Sequence, residues 1–93
     1  MDFVVVRAST GAVLQTLTGN GLNIPLEASF DGQRVLVTNN NGDSVSLWKA
    51  TDLTPLGTFG RGNLTGVLGL YGACSDGLNF WVTLEGADKL LRL

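Results

Sequence analysis

The chain contains no histidine and a single cysteine, Cys74. That removes histidine-based triads, histidine general bases, imidazole zinc sites and cysteine metal clusters. What remains able to do chemistry is a set of acids, amides and aromatics. Asp31, Asp43, Asp76 and Asp88 fall in predicted turns at equivalent places, where a carboxylate bonds to turn backbone without any ligand. Asn39, Asn40, Asn41 and Asp43 are rich enough in oxygen for a hard cation such as calcium. The ligand spacing of an EF-hand loop is absent, so the turn reading is taken and no metal is expected. Gly60-Arg61-Gly62-Asn63-Leu64-Thr65-Gly66 has the flavour of a phosphate loop but lacks GxGxxG spacing and a following helix. Asn63-Leu64-Thr65 fits a glycosylation acceptor, a short pattern that arises by chance.

Trp48, Tyr71 and Trp81 could stack on sugar rings. A repeated sugar site would repeat its aromatics, and these three do not repeat, so packing in the core or at the rim is the preferred reading. Arg61, Asn63 and Tyr71 lie in a long connection and are the first choices for ligand contacts; Trp48 and Trp81 follow. No catalytic residue, metal or cofactor is expected. Cys74 is read as a small buried thiol, since free cysteine packs as a small apolar group.

The elements that must position these residues are strands. Phe3-Val4-Val5-Val6 is rich in β-branched residues and Val13-Leu14-Gln15-Thr16-Leu17 returns after the turn at Ala8-Ser9-Thr10-Gly11. A third strand lies between Leu22 and Phe30, with Pro25 near its start, where no ladder donor is needed. Asp31-Gly32 marks a hairpin. Val35-Leu36-Val37 is a continuous apolar run, which predicts burial on both faces. Asn41-Gly42 marks the next turn, before Ser44-Val45-Ser46-Leu47-Trp48 and its partner Leu56-Gly57-Thr58-Phe59. Glycine-rich sequence from 60 to 69 leads to Leu70-Tyr71-Gly72-Ala73, Phe80-Trp81-Val82-Thr83 and a last strand from 89 to 93. The nine candidate strands group as two, four and three. No segment reads as an amphipathic helix.

The chain also says the same thing twice. Asp31-Gly32 returns as Asp76-Gly77, Val37-Thr38 as Val82-Thr83, Ala28 as Ala73 and Val45 as Leu90, each 45 residues on. A second match sets Asp2, Val4, Val6 and Thr10 on Asp43, Val45, Leu47 and Thr51, an offset of 41. A period of roughly 40–45 residues with four short strands is that of a β-propeller blade. The fold expected is therefore all-β, in blades of four antiparallel strands: a half blade at 1–21, a complete blade at 22–60 and an incomplete blade at 61–93.

Six basic residues are spread singly and the net charge is −2, so nucleic acid is not an expected partner. No apolar run approaches the roughly 18–20 residues a spanning helix needs. The N-terminus lacks the pattern of a signal peptide, and one cysteine leaves the redox compartment open.

Ala28-Ser29-Phe30-Asp31-Gly32, Val35-Leu36-Val37-Thr38-Asn39, Asp43-Ser44-Val45 and Leu56-Gly57-Thr58-Phe59 resemble bacterial β-propeller repeats of the YVTN type. Tyr71-Gly72-Ala73-Cys74-Ser75-Asp76-Gly77 with Phe80-Trp81-Val82-Thr83 is similar to the same signature again, and Arg7-Ala8-Ser9-Thr10-Gly11 to its end-of-blade turn. The resemblance spans nearly the whole chain. It implies a scaffold, binding or surface-layer role, points to an extracytoplasmic setting, and brings in related propellers that are lyases or lactonases. The chain departs from that family in length. A ring needs roughly 4–8 blades, so about two blades must be completed by copies, as a cyclic homo-oligomer. A trimer, with six blades, is preferred to a tetramer with eight. Residues 3–17 of one copy are expected to complete the blade begun by 70–83 of its neighbour, in competition with residues 89–93. The alternatives are a lectin-like oligomer that binds a glycan or small molecule, a lactonase- or lyase-type enzyme, or a piece of a larger propeller.

Overall fold

The computed structural model describes residues 3–40, 44–59, 70–84 and 89–93. Among these residues there are nine strands and no helix: β1 (Phe3–Val6), β2 (Val13–Leu17), β3 (Pro25–Phe30), β4 (Arg34–Asn39), β5 (Ser44–Lys49), β6 (Pro55–Phe59), β7 (Leu70–Ser75), β8 (Phe80–Leu84) and β9 (Lys89–Arg92). They pair in chain order into a two-stranded sheet β1–β2, a four-stranded sheet β3–β6 and a three-stranded sheet β7–β9. Every described pairing is antiparallel. This is the two, four, three grouping implied by the turn signals. β3 starts later than Leu22: Pro25 opens the strand, and Leu22 instead packs its side chain beside Trp48 and Val37.

The four-stranded sheet lies between the other two. Successive strand residues point to opposite faces, and β4 is buried on both. Leu36, with Val45 and Leu47 of β5, packs on Leu70, Phe80, Val82 and Leu84 of the three-stranded sheet. Val37 and Trp48 turn the other way and pack on Leu17, with Val5 beside it, from the two-stranded sheet. The continuous apolar run Val35-Leu36-Val37 has this sandwiched position as its cause.

The buried polar side chains at the centre are all bonded. On the Trp48 side, Asn39 Nδ2 donates to Ser46 Oγ at 2.9 Å and to Ser44 Oγ at 3.2 Å. Ser46 Oγ and Thr58 Oγ1 both donate to the Asn20 carbonyl, and Asn20 Nδ2 donates to the Leu47 carbonyl. This network fastens the β2–β3 connection to β5 and β6. On the opposite face Thr38 Oγ1 donates to the Tyr71 carbonyl at 2.8 Å, which ties the four-stranded sheet to β7.

The internal repeat is written in the hydrogen-bond registers. Ala28↔Val37, Ser29↔Leu36 and Phe30↔Val35 recur 45 residues on as Ala73↔Val82, Cys74↔Trp81 and Ser75↔Phe80. Leu36↔Leu47, Val37↔Ser46, Thr38↔Val45 and Asn39↔Ser44 recur as Trp81↔Arg92, Val82↔Leu91, Thr83↔Leu90 and Leu84↔Lys89. Even a side-chain bond repeats: Glu27 N donates to Thr38 Oγ1 as Gly72 N donates to Thr83 Oγ1.

The second offset is 42 and not 41. Phe3↔Leu17, Val4↔Thr16, Val5↔Gln15 and Val6↔Val13 match Val45↔Phe59, Ser46↔Thr58, Leu47↔Gly57 and Trp48↔Pro55, each with an irregularity at the same place. The turn confirms it. Arg7 N donates to Ala12 O as Lys49 N does to Thr54 O, and Gly11 N to Arg7 O as Leu53 N does to Lys49 O. Gly11 and Leu53 share the left-handed backbone that this turn demands, at φ 75° and 60°. A one-residue slip exchanges the two faces of a strand. The corrected offset therefore puts Val5, the equivalent of Leu47, on the buried face and Val4 and Val6 on the exposed one, as observed.

Candidate functional site

Two aspartates shape the hairpin tips. Asp31 Oδ1 accepts from the backbone N–H of Gln33 and Arg34 at 2.8 and 2.6 Å, and Gly32 takes φ 99° to close the turn. Asp31 Oδ2 accepts from the Arg34 guanidinium at 2.8–2.9 Å, and the aspartate side chain is only 6% exposed. Burial raises the Asp31 pKa, but the bonds from Arg34 and Gln33 outweigh it and hold the carboxyl below its ordinary value. Asp76 repeats the geometry, accepting from Leu78 N and Asn79 N at 2.8 and 2.7 Å. Its Oδ2 accepts from the Trp81 indole at 2.9 Å. The backbone N–H of Asn79 and then the indole hold its pKa at about 2. In both carboxylates Oδ1 is taken up by turn backbone, the role expected of them, and Oδ2 by a side chain, Arg34 or Trp81. Asp43 and Asp88 lie outside the described residues.

Around these turns the chain presents two surfaces. The first is an open groove of about 540 Å³ at the end of the four-stranded sheet, lined by Gly32, Gln33, Arg34, Lys49, Thr51 and Leu56. Arg34 and Lys49 are cross-strand neighbours. Arg34 is neutralised by Asp31 and extends over the Phe80 ring, 5.3 Å from its centre. The second is the outer face of the three-stranded sheet. There Trp81 is half-buried, the Arg92 guanidinium stands 5.9 Å from its ring centre, and Thr83, Leu90 and Cys74 are exposed. Among the described residues no three His, Cys, Asp or Glu side chains converge as a metal-binding group.

The structure divides the five expected ligand contacts. Trp48 is 1% exposed, and its indole fills the core against Leu17 and Val37, so it is withdrawn from the set. Tyr71 is exposed and Trp81 half-exposed. Tyr71 lies three residues from Cys74, the residue that pairs with Trp81, roughly 10 Å along the strand at the usual rise. They do not form one platform. Arg61 and Asn63 lie outside the described residues. Cys74 corrects another expectation: the thiol is exposed, because among the described residues no sheet packs on the face it occupies. The groove was missed by sequence reading. Its signal was the hairpin register, which sets the basic residues Arg34 and Lys49 opposite each other.

No family model, no curated protein and no solved structure matches this chain.

Proposed function

We propose that the chain is a non-catalytic β-propeller repeat module of the YVTN type, a scaffold or binding protein that assembles with copies of itself into a closed ring. One observation carries the reading. The face of the four-stranded sheet that is buried on its neighbour has an equivalent, 45 residues on, that no described sheet covers. Leu36, Thr38, Val45 and Leu47 are buried; Trp81, Thr83, Leu90 and Arg92 are their repeat equivalents, and Leu90 is 59% exposed. The opposite end behaves likewise. Ser46 and Trp48 are buried, while their equivalents 42 residues earlier, Val4 and Val6, are exposed.

A head-to-tail stack with two unlike open faces closes only as a ring or grows as a filament. Apolar residues at both ends favour association. With one complete and two partial sheets per chain, three copies give six blades and four give eight; the trimer remains the preferred ring. Ligands would then be met at the mouth of the ring or in the grooves beside Arg34 and Lys49. Size-exclusion chromatography with light scattering tests the assembly. A single species of about three times 9.8 kDa is the expected result, and a folded monomer at all concentrations would overturn it. The lectin-like reading retains Tyr71 and Trp81 of its aromatics, and binding on a glycan array that is lost in Tyr71→Ala would favour it.

A further inference from the structure

The place beside β8 is held by β9, which pairs through Trp81↔Arg92, Val82↔Leu91, Thr83↔Leu90 and Leu84↔Lys89. The repeat gives that place two claimants. β9 is β5 moved by 45 residues, and β1 is β5 moved by 42. We propose that β9 is a placeholder, and that on assembly the β1–β2 hairpin of a second copy displaces it and joins β7–β8 to complete a four-stranded sheet. This rests on the self-assembly reading above and says how the joint is made.

The occupant is identified by three observations. The first is composition at one position. β5 has the buried Leu47 there and β1 has Val5, whereas β9 has Arg92, whose described partner is the Trp81 ring. If this face is to be covered by a neighbour, β9 brings a guanidinium into the interface and β1 brings a methyl-bearing side chain in register with the core.

The second is the missing half of a sheet. β1 pairs with β2 on one edge and with no described strand on the other, and open edges recruit strands. The described β1–β2 sheet has two strands, and the four-stranded-sheet residues in the cluster with its Leu17 and Val5 are Val35, Val37 and Trp48, from β4 and β5. It leaves Ala28 exposed and Phe30 58% exposed on the same face. β7–β8 of a copy, paired to β1, would lie over that uncovered half.

The third is that the seat already exists once within the chain. Ala73 and Ser75, the equivalents of Ala28 and Phe30, share the face of β7 that meets Leu36 and Thr38. Trp81 and Thr83 are the equivalents of Leu36 and Thr38. The Thr83 hydroxyl of one copy is thereby aligned to donate to the Leu26 carbonyl of the next, as Thr38 Oγ1 donates to the Tyr71 carbonyl. The interface between copies repeats the interface inside each copy.

Disulfide trapping in a Cys74→Ser background separates the outcomes. Phe80 and Leu93 exchange both backbone bonds, so Thr83↔Leu90 is a close, non-hydrogen-bonded pair suited to a disulfide. In the exchanged sheet Phe3 of the copy stands opposite Thr83. Thr83→Cys with Phe3→Cys should give covalent multimers on a non-reducing gel, and Thr83→Cys with Leu90→Cys should lose its intrachain link when the protein assembles. Deletion of residues 89–93 should preserve the assembled mass and lower the concentration at which it forms. If the wild-type protein assembles while the Thr83–Leu90 link persists in the multimer, or if deletion of residues 89–93 abolishes assembly, β9 is a permanent strand and the placeholder proposal fails alone. A wild-type chain that stays monomeric at every concentration overturns the self-assembly reading and this proposal together.

Discussion

Thr38 and Thr83 are repeat equivalents in different surroundings, and replacing each by valine separates folding from assembly. Valine keeps the shape and β-branching of threonine and removes only the hydroxyl. Thr38 is fully buried; its Oγ1 donates to the Tyr71 carbonyl at 2.8 Å and accepts from Glu27 N at 3.2 Å. Thr38→Val leaves two backbone groups without that partner between packed sheets. Loss of a net hydrogen bond costs about 1 kcal/mol and a stranded buried group about 1–3 kcal/mol. A destabilisation of about 2–4 kcal/mol follows from the two sites together. Thr83 is exposed, and its Oγ1 accepts from Gly72 N at 2.8 Å on a face open to water. Thr83→Val should cost no more than about 0.5 kcal/mol in the monomer, because solvent takes over the freed N–H. Urea unfolding at low protein concentration measures both. The same titration is then repeated at high protein concentration. If the chain assembles as proposed, the wild-type midpoint rises with concentration, and the Thr83→Val midpoint should rise less, since the proposed joint aligns its hydroxyl with the next copy. If Thr38→Val is neutral, the contact between the central sheet and β7 is not held by this hydroxyl. If Thr83→Val tracks wild type at every concentration, the repeat equivalence of the two faces has no energetic meaning.

Gly21 stands at φ 76°, and a Cβ there would meet the Thr58 side chain, whose Oγ1 donates to the Asn20 carbonyl. Gly21→Ala should destabilise by about 2 kcal/mol, from left-handed strain plus loss of that bond, as read by denaturant midpoint; a change under about 0.5 kcal/mol would show that Thr58 yields freely. Asp31 and Asp76 have folded pKa values held below the ordinary carboxylate value, Asp76 at about 2. Their contribution is therefore present above the unfolded pKa and is lost as pH falls through the folded one. The stability of wild type should drop between pH 4 and pH 2, and Asp31→Asn with Asp76→Asn should flatten that drop in an acid titration followed by circular dichroism. Asn39→Leu removes the donor to Ser44 and Ser46 and the acceptor of Asn23 N; a loss of about 2–4 kcal/mol is expected in the same unfolding assay. Cys74 is exposed in the single chain, so a thiol reagent should label it quickly at low concentration and slowly once copies cover that face. Equal labelling in both states would place the joint elsewhere.

The strand order and the hairpin tips were legible because each rests on local chemistry. Asp31-Gly32 and Asp76-Gly77 announce turns whose carboxylates cap the following N–H groups, and the apolar run at Val35 announces a strand buried on both sides. The register of β1 was not legible from its own residues. In Phe3-Val4-Val5-Val6 every residue is apolar, so either face would serve as the buried one and an offset of 41 reads as well as 42. The information lay in the next turn. Arg7-Ala8-Ser9-Thr10 lines up with Lys49-Ala50-Thr51-Asp52 at 42, where Thr10 and Asp52 each accept from the N–H two residues on. The match was hidden because Leu53 takes the left-handed position that Gly11 fills in the other copy. The exposure of Cys74 could not be read either. Burial of a strand face depends on whether a neighbouring sheet exists, and that is a property of the assembly rather than of the strand.

The distribution of polar residues across the repeat sets the central sheet apart from the end sheets and accords with the proposed joint. Asn39 and Ser46 are fully buried and belong to the bonded network under Asn20. Their equivalents in the three-stranded sheet are Leu84 and Leu91, and that of Ser46 in the two-stranded sheet is Val4. A fully satisfied polar network fixes one register and punishes alternatives, which suits a sheet formed within one chain. At the end sheets the network is replaced by aliphatic side chains, which tolerate a change of partner because no buried donor is stranded when the strands separate. The same substitution pattern that removes the polar lock from β9 and β1 leaves them alike in apolar character at three of four positions: Leu90 and Phe3, Leu91 and Val4, Leu93 and Val6. Arg92 against Val5 is the one mismatch among the four, and in the proposed joint it is the position that would favour β1 over β9.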